Sequence, residues 1–345
     1  MKVGYARAAA AEWVARNART REGFAGAYFH GSTTGLADGA DLPVSSDVDV
    51  VVVIDTDKAP PKPGKLRHRG ALLEITYEPF TEIASAERVL SSYHVAGGFV
   101  RDTVIEDPTG HLASLHARVA RDFGKQEWVR ARCADARLRV ERRLAAMDFT
   151  APFHEQVTGW LFPTGVSTHV VLVAALRNPT IRLRYVAARR ALSDFDRLDR
   201  YPELLELLGC ERLSADTVRD QLASLTRTFD ATTEVARTPF PFSSDLTREA
   251  RAIAIDGSRD LIDGGLHREA VFWIIATFAR CHTALATDAP ALHRALLSDF
   301  EAAVATLGIT SPDDLRHRRA DVTAFLPRLD KTAEDIMRRL PDSTD

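Results

Sequence analysis

The sequence predicts an α+β protein: an N-terminal α/β part over residues 1–110, with a mixed sheet and flanking helices, then an all-helical part over residues 111–345. Three observations predict it. Val50 to Val53 are four β-branched residues in succession, which disfavours helix and suits a strand buried on both faces. Short extended segments alternate with helical ones up to the turn Asp107-Pro108-Thr109-Gly110. From His111 onward the apolar period becomes 3.6, with Leu112, Leu115, Val119 and Phe123 on one face.

The elements follow in order. Tyr5, Ala9 and Trp13 recur at helical spacing, which predicts a first amphipathic helix. Ala25–His30 is short and aromatic, a strand ending at Gly31-Ser32. A loop rich in Gly, Asp, Pro and Ser covers Thr33–Ser46, and Asp47–Ile54 is the clearest strand. Three prolines and a glycine exclude regular structure from Ala59–Lys65, which links to a strand over Ala71–Tyr77. A helix over Ser85–Ala96 stops at Gly97-Gly98, and Val100–Glu106 reads as a last strand. Helical patterns then fall near 126–148, 154–176, 181–192, 215–235, 247–262, 267–286, 290–306 and 319–339. The breaks include Pro163-Thr164-Gly165, Asn178-Pro179, Tyr201-Pro202 and Gly264-Gly265, and Pro341–Asp345 is expected to fray.

Composition narrows the class. With 45% hydrophobic and 27% charged residues over 345 positions, the chain has enough apolar material for a real core. A net charge of −3 lacks the positive excess that holds long nucleic acid. Only six residues are lysine, so nearly all the basic charge is arginine. Cys133, Cys210 and Cys281 are far apart and odd in number, which matches neither a disulfide framework nor a CxxC metal site and points to a reducing, cytoplasmic setting. The longest apolar run, Val170–Leu176, is short against the roughly 20 residues of a membrane span. Glu12, Trp13 and Arg16 interrupt the N-terminal alanines, so no signal peptide is expected.

The chemistry concentrates around Asp47-Val48-Asp49. Residues i and i+2 of a strand share a face, so the two carboxylates lie side by side. Like charges that close raise each other's pKa unless a cation sits between them. Hard oxygen ligands suit Mg²⁺ or Mn²⁺, completed by substrate phosphates. Upstream, Gly31 permits close backbone approach, and Ser32 adds a hydroxyl to amides facing a phosphate. Glu74 supplies a third carboxylate in the middle of an otherwise apolar strand, where burial without a partner is costly. A metal, or a role as general base, resolves that cost.

The order Gly31-Ser32, then Asp47-Val48-Asp49, then Glu74 resembles the polymerase-β-like nucleotidyltransferase superfamily, over about residues 20–80 by motif and 1–110 by architecture. It is most similar to the small-molecule branch, the aminoglycoside and lincosamide nucleotidyltransferases, which also carry a helical C-terminal domain. The Thr33–Ser46 loop is slightly longer than that pattern's usual spacing. The resemblance implies a catalytic domain over 1–110 and an acceptor domain over 111–345. It implies Asp47, Asp49 and Glu74 as metal-holding catalytic residues, and Gly31 and Ser32 at the nucleotide. The implied reaction moves a nucleoside monophosphate from a Mg-NTP, ATP among them, to a hydroxyl on a small molecule, with release of pyrophosphate.

Other readings stay open. A protein or tRNA acceptor would use the same carboxylates. A metal-dependent glycosyltransferase also uses DxD, but the Gly-Ser turn and the lack of a preceding long nucleotide-binding region disfavour it. A non-catalytic nucleotide-binding or toxin-partner module would be signalled by a lost carboxylate, and none is lost. Asp107 reads as a turn and helix-capping residue. Arg130, Arg132, Arg137, Arg139, Arg142 and Arg143 read as a solvated helix face, and Arg182 and Arg184 as residues able to reach a cleft. His267-Arg268-Glu269 lacks metal spacing, and Phe272–Ile275 reads as core.

Overall fold

The computed structural model describes residues 1–340; Pro341–Asp345, expected to fray, lie outside the described residues. The chain divides into two compact units, Met1–Arg132 and the part from Cys133 onward. The change of periodicity at residue 110 is therefore not where the packing divides. Helix α3 (His111–Asp122) buries Leu112, Leu115 and Val119 in the same core as Val51 and Val53 of the sheet, and so belongs to the first unit.

In the first unit, α1 (Val3–Trp13) runs into a π-helical turn, Val14–Ala18. Its buried stripe is Val3, Ala6, Ala10, Val14 and Ala18, while Tyr5 is 50% exposed. Of the expected stripe Tyr5, Ala9 and Trp13, Ala9 is buried and Trp13 packs against the core, and only Tyr5 is corrected to an exposed position; small side chains let the helix backbone lie close to the sheet. The strands are β1 (Phe24–His30), β2 (Val48–Ile54), β3 (Gly64–His68), β4 (Ala71–Pro79) and β5 (Val104–Glu106). They form one five-stranded sheet in the order β3-β4-β2-β1-β5. β2 and β4 are parallel, and every other neighbouring pair is antiparallel. Val48, Val50 and Val52 of β2 and Leu73, Ile75 and Tyr77 of β4 face α1. The opposite face packs Tyr28, Val51 and Val53 against Ile83, Leu90, Phe99 and α3.

Three local expectations change. Strand β3 occupies Gly64–His68, so the irregular segment ends at Pro63. The prolines shape only the approach, and Arg69 and Gly70, both at positive φ, close β3 onto β4 in a two-residue primed turn. The helix expected over Ser85–Ala96 is only α2 (Ala86–Ser91), capped by the Ser85 side chain. Tyr93, Val95, Ala96 and Phe99 are all buried. One straight helix cannot turn all four inward, because residues two apart lie on opposite sides. The strand expected from Val100 begins only at Val104, because the Thr103 hydroxyl donates to the Gly98 carbonyl at 2.6 Å and holds the chain in a bend.

The second unit is helical, and among the described residues no strand follows Glu106. Helix α4 (Gln126–Ala145) leads into it. Then come α5 (Phe153–Ala174), α6 (Arg184–Asp194), α7 (Tyr201–Leu208), α8 (Ala215–Val235), α9 (Gly257–Asp263), α10 (His267–Asp288), α11 (Pro290–Ala305) and α12 (Pro312–Met337). Pro163 does not break α5; the helix runs through it, buried on all sides. Tyr201-Pro202 begins a helix rather than a gap, because proline in a first turn loses no intrahelical bond. The stretch 247–262 is α-helical only from Gly257, after a π-helical turn at Ala252–Asp256. Ser311 caps α12, so that helix starts well before residue 319.

Helices α5 and α10 are each 22 residues long and apolar enough to cross a membrane, which corrects the expectation that no segment reaches that length. In each, 83% of the apolar window is buried inside the protein, the mark of a core helix. Cys133, Cys210 and Cys281 are buried and form no disulfide among the described residues.

Candidate functional site

The parallel register of β2 and β4 places Asp49 directly opposite Glu74. Asp47 stands one residue ahead of β2 and shares the face of Asp49 by strand alternation. The three side chains offer carboxylate oxygens that all lie within 4.8 Å of one another. Asp47 and Glu74 are largely shielded from solvent, with side chains 17% and 18% exposed.

Two lysines complete the cluster. On the other side of β4, β3 sets Lys65 opposite Glu74. The Lys65 ammonium donates to Glu74 Oε2 at 2.5 Å and lies 3.2 Å from Asp47 Oδ2. Lys62, held between Pro61 and Pro63, donates to Glu74 Oε1 at 2.6 Å. Burial alone would raise the Glu74 pKa, but Lys65 and Lys62 outweigh it and hold the carboxyl at about 2. Burial raises Asp47, with partial relief from Lys65. Burial, then the charges of Asp47 and Glu74, push Asp49 well above its ordinary value. Among the described residues no ion pair reaches Asp49.

Gly31 adopts a positive φ of 72°, and a Cβ on it would stand 1.8 Å from Asp49 Oδ2. Only glycine lets the end of β1 approach that carboxylate. Ser32 follows, exposed, at the start of a 3₁₀ turn over Ser32–Gly35, and the Thr34 hydroxyl donates to the Gly31 carbonyl at 2.9 Å. His30 pairs with Asp49 across β1 and β2, and its Nε2 bonds the His94 carbonyl at 2.9 Å.

The fold thus brings Gly31, Asp47, Asp49 and Glu74 together, with Ser32 at the rim. Lys62, Lys65 and His30 were missed by sequence reasoning. A signal for the lysines was present: of the chain's six lysines, Lys58, Lys62 and Lys65 fall within eight residues.

The weaker candidates have structural roles. Asp107 Oδ2 accepts from the Ala113 amide at 2.9 Å, anchoring the start of α3. Arg132 is no surface residue: it is buried over the Phe123 ring and donates to the Leu90 and Phe123 carbonyls. Arg184 is buried over the Phe272 ring, and Arg182 donates to the Gly257 carbonyl.

Comparison with protein-family models and with curated proteins finds no match to the chain.

Proposed function

We propose that the chain is a metal-dependent nucleotidyltransferase acting on a small-molecule hydroxyl. The observation that carries the reading is the convergence of Asp47, Asp49 and Glu74 within 4.8 Å beside the Gly31 turn. The mixed sheet with β2 parallel to β4 is the architecture this reading needs, since it sets two carboxylate-bearing strands side by side. Asp49, without an ion pair among the described residues and abutting Gly31, is a carboxylate suited to a hard divalent cation.

Asp47, Asp49 and Glu74 would hold Mg²⁺ or Mn²⁺. When bound, the ion supplies charge compensation to the triphosphate and to the leaving pyrophosphate. The rest falls to the chain's own groups. Backbone amides after Gly31 and the Ser32 hydroxyl face the phosphates. Glu74, once its lysine contacts are exchanged for the acceptor, takes the proton of the acceptor hydroxyl as the hydroxyl oxygen bonds to the α-phosphorus and the bond to pyrophosphate breaks.

The test is pyrophosphate release with each of the four NTPs, with and without Mg²⁺, across a panel of hydroxyl acceptors. Activity is expected to depend on the metal and to vanish in Asp47→Asn. Glu74→Gln should slow turnover by about 10²–10⁴-fold with much smaller change in NTP affinity. Metal-independent turnover, or wild-type rates in both variants, would overturn the assignment.

A further inference from the structure

We infer that the second unit carries a transition-metal site of its own, in which His154, His282 and His293 hold a borderline divalent ion such as Zn²⁺. The inference stands apart from the carboxylate cluster and from the reaction proposed for it.

The three histidines are far apart in the chain, and the fold gathers them from α5, α10 and α11. The Nδ1 atoms of His282 and His293 face each other at 3.1 Å. Two nitrogens bound to one tetrahedral ion at about 2.0–2.1 Å stand about 3.3 Å apart, so this pair already has ligand spacing. The centre of an imidazole stands about 3.2 Å from an ion on its nitrogen, which puts two such rings about 5 Å apart and at most about 6.4 Å. The ring centre of His293 lies 5.1 Å from that of His282 and 5.5 Å from that of His154, and His154 and His282 are 6.3 Å apart. All three separations fall inside the limit. Among the described residues only Asp47, Asp49 and Glu74 have three ligand atoms within 4.8 Å, so His154 must turn its ring to join the other two. Among those residues the His154 ring makes no hydrogen bond for the turn to break.

Hydrogen bonding and electrostatics point the same way. His154 is 3% exposed and His282 is fully buried, yet Nε2 of His282 has no hydrogen-bond partner. Buried polar nitrogens are as a rule paired, and an exception calls for a bound group. Burial and the neighbouring histidines keep His154 and His282 neutral at pH 7, the form whose nitrogen lone pair binds a metal. The charge of Asp299 acts on His282 and favours a cation beside it. Phe278 and Phe300 wall the His282 ring, which holds its orientation and limits water. A set of imidazoles selects ions of the Zn²⁺ kind over Mg²⁺, which prefers oxygen.

The experiment titrates the chelator-stripped full chain with Co²⁺ by visible absorption and with Zn²⁺ by calorimetry, on wild type, His154→Phe and His293→Gln. Excess Mg²⁺ is present throughout, so that oxygen-ligand sites do not contribute. Wild type should bind one Co²⁺ per chain with the absorption bands of a nitrogen-ligated ion, and Zn²⁺ should displace it. Each variant should bind Zn²⁺ at least about tenfold more weakly. His293 is half-buried, so its variant carries the test if His154→Phe does not fold. Absence of Co²⁺ and Zn²⁺ binding to wild type, or an affinity unchanged in either variant, would overturn the inference. Neither result bears on the carboxylate reading, which pyrophosphate release tests separately.

Discussion

Asp49 has the least compensation of the three carboxylates. Lys65 and Lys62 satisfy Asp47 and Glu74, while Asp49 meets two like charges and the backbone of Gly31. Its folded-state pKa is raised from the ordinary 3.8 by burial and then by those charges. The sign follows directly: the folded state loses stability as pH rises from 3.8 through the raised value, because only the unfolded chain ionises freely there. Asp49→Asn should therefore melt close to wild type in acid but higher at neutral pH without metal, by about 1 kcal/mol, a few degrees for a chain of this size. Calorimetry at the two pH values checks it, and a variant less stable than wild type at neutral pH would refute it. The gain in stability should come with loss of the stabilisation that Mn²⁺ and nucleotide give together.

At the scale of the element, the turn after β1 decides whether the site closes. Gly31→Ala forces a side chain into an extended positive-φ backbone that only glycine adopts readily, a strain of about 1–3 kcal/mol, and aims a methyl group at the Asp49 carboxylate. The variant should melt a few degrees lower and lose the stabilisation by Mn²⁺ with nucleotide; an unchanged joint response would show that the turn need not touch Asp49. The Pro-rich segment teaches a related lesson. Prolines and a glycine rightly mark Ala59–Pro63 as irregular, yet the next residues pair with β4. Edge strands tolerate such neighbours because one side of their ladder makes no bonds.

At the scale of the whole molecule, the second unit holds a histidine group in which two rings, His154 and His282, are buried and the third, His293, is half-buried. His293 of α11 meets His154 of α5 and His282 of α10 edge to face, with ring centroids 5.5 and 5.1 Å away, and His154 lies tilted 6.3 Å from His282. The Nδ1 atoms of His282 and His293 are 3.1 Å apart, so one proton serves the pair. Burial, then neighbouring histidines, lowers His154 to about 4 and His282 to about 3. A folded pKa below the ordinary 6.5 means the neutral rings stabilise the fold above 6.5, and that contribution is lost as pH falls toward 4 and 3. Wild type should melt lower at about pH 5 than at about pH 7, and His282→Phe, continuing the stack on Phe278 and Phe300, should flatten that difference. Parallel declines in the two proteins would count against the histidine group as the source.

Features under short-range control are legible in the chain of residues alone. The β-branched run made β2, the 3.6 period made α3 and the long helices of the second unit, and the Asp-Val-Asp spacing put two carboxylates on one strand face. Glu74 was legible as well, as an acid misplaced on an apolar strand. Tertiary structure alone decided that Asp49 stands opposite Glu74, since strand order and register are set by packing between distant segments. It decided that Tyr5 faces out while alanines pack inward, and that Pro163 stays inside a helix held by its neighbours. It also supplied Lys62 and Lys65: a lysine in a proline-rich segment carries no local sign of its partner. The partner, Glu74, is brought to it by a hairpin whose pairing the whole sheet enforces.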